Sequence, residues 1–439
     1  MTTALLKTRG ASACRCTWRI AMLPLCLDAL AFAAGANTPI SGIRQQCRTG
    51  NSLPKLDALA AAVAAQPKDA ELLACLGDVN TRLGRQSAAM DGYAKSVAIN
   101  PRNTGVWRRL GKLQSRALET DPGNHGLRLA LIETIVHTGP DADLEKEINA
   151  FVKLSSTEER LELTRILISF GKLDDAQPIL IELTNLDPVP VEAWAQLGLI
   201  LMEKEDFENA VMELGQAAQA DPKSSRYCLA LSEALLRWHH YSTALEYLQA
   251  VKASFGDLPQ FQYNLAYSYY GVRELDVAIS ILNALLKQQP GYAPARFLLG
   301  NCYVAKGDLA RGEQMLRSAV DADKTKAAYY SSLAQVKRYQ GEIAEALLVI
   351  HKGLSLDPQN TELIFESALC HESKGDLAIA QDQLEKLVAK QPGLTKAHRA
   401  LVRVYGRMGN DAAAAVERQK LAQLESQERT PEHNSEDNR

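Results

Sequence analysis

The 439-residue sequence carries no HExxH, no GxSxG, no phosphate-cradling GxxxxGK[ST] and no GxGxxG at a strand-helix junction. The signatures of zinc proteases, serine hydrolases, P-loop enzymes and dinucleotide-binding folds are therefore missing. Its eight cysteines form no CxxC pair, so neither a zinc cluster nor a redox motif is indicated. Acidic residues are dispersed along helix faces and before turn prolines, at Asp121, Asp187, Asp221 and Asp357, without the convergence that acid-base work needs. His239 and His240 follow Trp238 at a turn, where adjacent side chains do not face one site; a solvated turn is expected there, not a metal centre. No enzyme is expected and no cofactor is implied. The basic excess that attracts phosphate backbones is also absent, since the net charge is -3, which disfavours nucleic acid. Long alternating apolar runs are scarce, so composition leans toward helix and away from sheet.

The amino terminus differs from the rest. Lys7, Arg9, Arg15 and Arg19 precede a mostly apolar stretch, Ile20 to Ala36, that ends in small residues. That order resembles a secretory signal peptide cleaved after Ala36, although Asp28 puts a charge inside the run. The run falls short of the ~20 residues of a spanning helix, so no integral membrane span is expected in the mature chain. The expectation is a bacterial exported protein, periplasmic or envelope-associated, with a cytoplasmic one as the alternative. Cys14, Cys16 and Cys26 lie in this leader, and Leu25 ahead of Cys26 speaks against lipidation. Cys228, Cys302 and Cys370 read as small buried hydrophobes. Cys47 with Cys75 is the one pair to test for a disulfide if the chain is exported.

A period of 34 residues organises the rest of the chain: Gly307, Gly341, Gly375 and Gly409 keep it, as do Ala210, Ala244 and Ala278, Ala346, Ala380 and Ala414, and the pairs Pro188/Pro222 and Pro358/Pro392. A fixed period of this size means stacked supersecondary units. Units begin at Val191, Ser225, Pro259, Ala293, Ala327, Thr361 and Thr395 without insertion. In each, an apolar stripe marks a first helix, glycine ends it, alanine lets a second helix pack close, and proline stops that helix. One hairpin cannot bury its apolar face alone, so neighbours must cover it.

In the Val191 unit, Trp194, Leu197, Gly198, Leu201, Ala210, Leu214, Ala217 and Pro222 match W-x2-L-G-x2-Y followed by A, F, A and P. The pattern resembles the tetratricopeptide repeat family over roughly residues 55 to 425. The resemblance implies an all-α fold, an α-solenoid superhelix of helix-turn-helix repeats, which as a scaffold or adaptor binds a protein or peptide in its concave groove. A glycan or cell-wall peptide as ligand, or a role as accessory subunit of an enzyme, are the alternatives. In this family the groove is lined by positions 2, 5, 9, 12 and 13 of the first helix. Carried over by position, these select Tyr263, Tyr267 and Tyr270, then Phe297 and Asn301, then Gln335, Arg338 and Tyr339, and finally Phe365. All tyrosines except Tyr93 and Tyr405 lie between Tyr227 and Tyr339, and tyrosine suits capture; the competing reading makes many of them packing residues. The family's terminal-carboxylate clamp is not implied, because its positions hold Tyr263, Tyr267, Phe297 and Asn301. Lys396, Arg399, Arg403 and Arg407 share one helical face, which could meet an acidic partner or solubilise the end of the stack.

The organisation expected is a leader at 1-36, a cap or half repeat at 37-69, and one repeat plus an irregular single helix at 70-122. Two degenerate repeats at 123-190, seven contiguous repeats at 191-425 and a disordered polar tail at 426-439 complete it. The lone helix at Thr104 to Pro122 would upset the alternation of helices and mark a kink or boundary near Asp121 to Asn124. Leu56 to Ala65 reads as a lone second helix whose partner is the segment around Ile43 to Cys47.

Overall fold

The structure, a computed structural model, describes residues 40–49, 54–139 and 141–428. The signal-like segment 1-36 and residues 429–439 of the expected tail lie outside the described residues. Among the described residues there are 23 helices and no strand. They are α1 (Ile40–Thr49), α2 (Leu56–Ala65), α3 (Ala70–Arg82), α4 (Gln86–Ile99), α5 (Thr104–Thr120), α6 (His125–Thr138), α7 (Asp141–Val152), α8 (Thr157–Ser169), α9 (Leu173–Thr184) and α10 (Val191–Glu203). Then come α11 (Phe207–Ala220), α12 (Ser225–Arg237), α13 (Tyr241–Phe255), α14 (Pro259–Gly271), α15 (Leu275–Gln288), α16 (Ala293–Ala305) and α17 (Leu309–Ala322). The last are α18 (Ala327–Tyr339), α19 (Ile343–Leu356), α20 (Thr361–Lys374), α21 (Leu377–Lys390), α22 (Thr395–Arg407) and α23 (Asp411–Glu428). The chain forms two compact units, one ending at Asp206 and the other starting at Phe207, each an α-solenoid of paired helices.

In the first unit, α1 packs on α2 and α3, and a disulfide joins Cys47 to Cys75 across them. The cluster beneath it holds Ile43, Leu59, Leu72 and Val79, while Arg44 pairs with Asp69 and Arg48 with Glu71 at its edge. The hairpin α3-α4 closes backbone to backbone: a Cβ on Gly92 would come 2.9 Å from the Gly77 amide nitrogen. The single helix at Thr104–Thr120 packs directly on α6, through a Gln114 carbonyl accepting from Thr134 at 2.9 Å and a stack of Trp107 on His137 at 4.1 Å. The compact unit therefore runs through Asp121 to Asn124, where the sequence suggested a kink or boundary. At the other end of the chain, α23 continues to Glu428, so the first three residues of the expected tail are helical.

The second unit shows how the repeat is held. Its first helices begin at Ser225, Pro259, Ala293, Ala327, Thr361 and Thr395, and each packs on the second helix that follows it. The alanines Ala210, Ala244, Ala278, Ala346, Ala380 and Ala414 are all fully buried, because any larger side chain would hold the two helices apart. Buried polar groups bridge neighbouring repeats: the Asn264 amide donates to Ser232 at 2.8 Å, and in the first unit Thr164 donates to Gln196 at 2.7 Å. Cys228, Cys302 and Cys370 are buried free thiols, and burial pushes Cys302 up to about 12 and Cys370 up to about 11.

The fourth residue of the first helix closes the turn before it. Its side chain donates to the carbonyl six residues earlier in six units: Trp107 to Pro101 at 2.9 Å, Arg128 to Pro122 at 2.9 Å, Gln262 to Gly256 at 3.1 Å, Arg296 to Pro290, Tyr330 to Lys324 at 3.2 Å and His398 to Pro392 at 2.8 Å. Five residue types perform one task, satisfying a carbonyl that a helix end leaves open.

The residue between first and second helices is left-handed in every full-length hairpin except α6-α7, whose link lies partly outside the described residues. Glycine fills the position at Gly84, Gly171, Gly307, Gly341, Gly375 and Gly409, whereas Glu205, His239 and Arg273 hold φ of 61°, 63° and 69°. A Cβ in this region is strained. Arg273→Gly is therefore expected to raise stability by about 0.5–1 kcal/mol and Gly341→Arg to lower it by a similar amount. Thermal melts of both variants check this, and an unchanged Arg273→Gly would contradict it.

Candidate functional site

The spacing of Tyr263, Tyr267 and Tyr270 places three rings on one face of α14, and the structure extends them into a ladder. Centroids lie 6.2 Å apart for Tyr263 and Tyr267, 6.2 Å for Tyr267 and Tyr270, 6.0 Å for Tyr241 and Tyr267, and 6.1 Å for Tyr263 and Tyr292. Such tilted and edge contacts are the favoured geometry between aromatic rings. Tyr241 enters from the start of α13 and lies on the backbone of Gly271, where a Cβ would fall 2.1 Å from its ring. Tyr292, just ahead of α16, donates its hydroxyl proton to Gln260 at 2.7 Å. On the next helix Phe297 meets Tyr329 of α18 at 4.8 Å. Burial raises Tyr267 and Tyr270 above the ordinary phenol value and pushes Tyr292 up to about 12, so these hydroxyls remain proton donors at any ordinary pH.

The residues selected by position are not equally available. Tyr267, Tyr270, Phe297, Asn301, Gln335 and Arg338 are half-buried, and Tyr339 is 52% exposed. Tyr263 is not a surface residue: it is 5% exposed within the cluster of Ala266, Ala278, Leu282 and Leu298, and acts as the floor of the ladder. Phe365 is likewise packed into the core of the last repeats, with the Lys396 ammonium 5.0 Å above its ring. Gln335 and Arg338 both turn to Glu366, at 3.4 Å and 2.9 Å, and the Arg338 guanidinium also lies 4.7 Å over the Tyr339 ring.

The four cations of α22 do not form a free basic patch. Lys396 pairs with Glu362, Arg399 with Glu425 at 2.8 Å and Arg403 with Glu372 at 2.9 Å, while Arg407 donates to the Glu372 carbonyl at 2.6 Å. Reading one helix at a time overlooks these carboxylates, because they sit on the preceding repeat or on α23. Opposite charges 31 and 34 residues apart, as in Glu372/Arg403 and Glu362/Lys396, were the available signal. Tyr241, Tyr292 and Tyr329 were overlooked for a similar reason, since they approach the face from outside the first-helix positions used to define it. At the turn, His239 Nδ1 lies 2.6 Å from the Tyr241 hydroxyl and His240 stacks on Trp238 at 3.8 Å.

Tetratricopeptide repeat models match residues 272–336 and 161–225. A TPR repeat-containing protein of Dictyostelium discoideum is 24% identical over 171 residues, which is 39% of this chain and 60% of that protein. The BBSome complex member BBS4 of Bos taurus is 20% identical over 308 residues, 70% of this chain and 56% of that one. The chain thus spans about three fifths or less of these relatives. The Cut9 and Hcn1 hetero-tetramer of the APC/C has 13% identity and a TM-score of 0.48, covering 88% of this chain and 81% of that one. The helical pairing, the period and the two matched segments agree, and the chain is built of tetratricopeptide repeats on an all-α solenoid fold.

Proposed function

We propose that the chain is a non-catalytic scaffold that holds a protein or peptide against the face formed by α14, α16 and α18. Tetratricopeptide repeat proteins generally mediate protein-protein interaction, and the observation that favours this face is the ladder of Tyr241, Tyr263, Tyr267, Tyr270 and Tyr292. Stiff amphipathic rings give contact area with little rotamer entropy to lose. Pull-down from native cell-envelope fractions, comparing wild type with a Tyr267→Ala, Tyr270→Ala double variant, tests the reading. The variant is expected to lose about tenfold or more of partner capture. Capture at the wild-type level would remove the site from this face.

An envelope location is part of the proposal, supported by the Cys47–Cys75 disulfide, since such bonds persist in oxidising compartments. Alkylation of denatured protein taken directly from cells checks it: two further thiols are expected to become reactive only after reduction. The uncharged hydrogen-bonding character of Tyr267, Tyr270 and Asn301 also suits a glycan or cell-wall peptide as ligand, and an accessory role beside an enzyme would use the same face.

A further inference from the structure

We infer that the segment captured on this face is a peptide stretch without charged side chains, carrying aromatic or aliphatic residues; this deepens the proposed function and rests on it. The first observation is composition. At the five face positions of the Pro259 and Ala293 units stand Gln260, Tyr263, Tyr267, Tyr270 and Gly271, then Pro294, Phe297, Asn301, Val304 and Ala305. None is charged.

The second observation concerns the flanks of this neutral stretch. Toward the carboxyl terminus every charged group at a face position already has a partner within the chain. Arg338 is held by Glu366, with side chains 15% and 5% exposed; Lys396 is held by Glu362, and Arg403 by Glu372. A charged ligand group settling on the neutral stretch would lose hydration without finding an opposite charge, and one settling beyond it would have to displace an internal partner. An apolar side chain meets neither obstacle: it covers the half-buried ring faces of Tyr267, Tyr270 and Phe297. The amides of Gln260 and Asn301 and the tyrosine hydroxyls offer uncharged hydrogen bonds to a peptide backbone.

Two consequences separate this from an electrostatic mode. Affinity should depend little on ionic strength, because screening acts only on charge pairs formed by binding. A new charge at the centre of the face should abolish it. The probe is a random peptide library displayed on phage and selected on the full chain, followed by synthesis of the enriched peptide and titration at low and high sodium chloride. The expected result is an enriched core lacking Asp, Glu, Lys and Arg, with Kd changing less than about twofold between the two salt conditions. Asn301→Lys, at a half-buried position that tolerates a longer side chain, should weaken binding about tenfold or more with an unchanged thermal melt. A charged core, or a loss of about tenfold in affinity at high salt, overturns the inference. If in that case Tyr267→Ala, Tyr270→Ala still abolishes binding, the face remains the site and only its chemistry was misjudged. Undiminished binding by the tyrosine variant overturns the face itself, as does a selection from which the wild-type chain retains no peptide.

Discussion

Cys47→Ser is expected to destabilise the amino-terminal end by about 3–4 kcal/mol, the chain-entropy cost of opening the cross-link between residues 28 apart. The helices it ties are short: α1 and α2 have 10 residues each, below the length at which a helix persists alone. Their shared apolar cluster is small, and the two ion pairs beside it, Arg44 with Asp69 and Arg48 with Glu71, are exposed enough for solvent to screen them. Without the bond, α1 should separate from Leu72 and Val79 while the hairpin α3-α4 stays folded. Hydrogen exchange resolved by peptide checks this. Residues 40 to 65 should exchange much faster in the variant, or in wild type under a dithiol reductant, and residues 86 to 99 should not. Equal protection of 40 to 65 with and without the bond would contradict it.

His398→Ala is expected to cost about 3 kcal/mol at the opposite end, because it strands a buried partner. His398 is 3% exposed and Glu417 7% exposed; Nδ1 lies 2.5 Å from the Glu417 carboxylate, and Nε2 donates to the Pro392 carbonyl at 2.8 Å. Burial acts to raise the Glu417 carboxyl, but hydrogen bonds from Lys420 and His398 outweigh it and hold it below the ordinary glutamate value. A carboxyl with a depressed folded pKa adds stability above its unfolded pKa and loses that contribution as pH falls through the folded one. The pair therefore locks α23 onto α22 at neutral pH and releases it in acid. Replacing both partners, in His398→Leu with Glu417→Leu, should recover much of the loss, since a well-packed apolar pair removes the stranded charge. Denaturant titration of the three variants measures the cycle. A His398→Ala midpoint equal to wild type would contradict the lock.

The fold was legible because its determinants recur. Leucine, alanine, glycine and proline at a fixed period each perform one steric task, and a periodic apolar stripe can face only a neighbouring repeat. Less legible was anything done by chemically different residues at one position. The fourth residue of the first helix donates to the preceding turn as Trp107, Arg128, Gln262, Tyr330 or His398, and no residue pattern reveals that common role. The left-handed turn persists at Glu205, His239 and Arg273 although glycine is absent, because packing of the flanking helices sets the backbone there. Position alone also could not separate floor from surface: Tyr263 and Phe365 match face positions and are buried, whereas Tyr267, one turn beyond Tyr263, keeps an accessible edge. Charge was the least legible, since the partners of Lys396, Arg399 and Arg403 lie on other helices.

Hydrogen exchange of the full chain with and without the selected peptide is the most direct test of where capture occurs. Bound peptide should slow exchange in α14, α16 and α18 and leave the second helices α15, α17 and α19 unchanged. Protection confined to those second helices, or to the first unit, would contradict a binding face built on the tyrosine ladder.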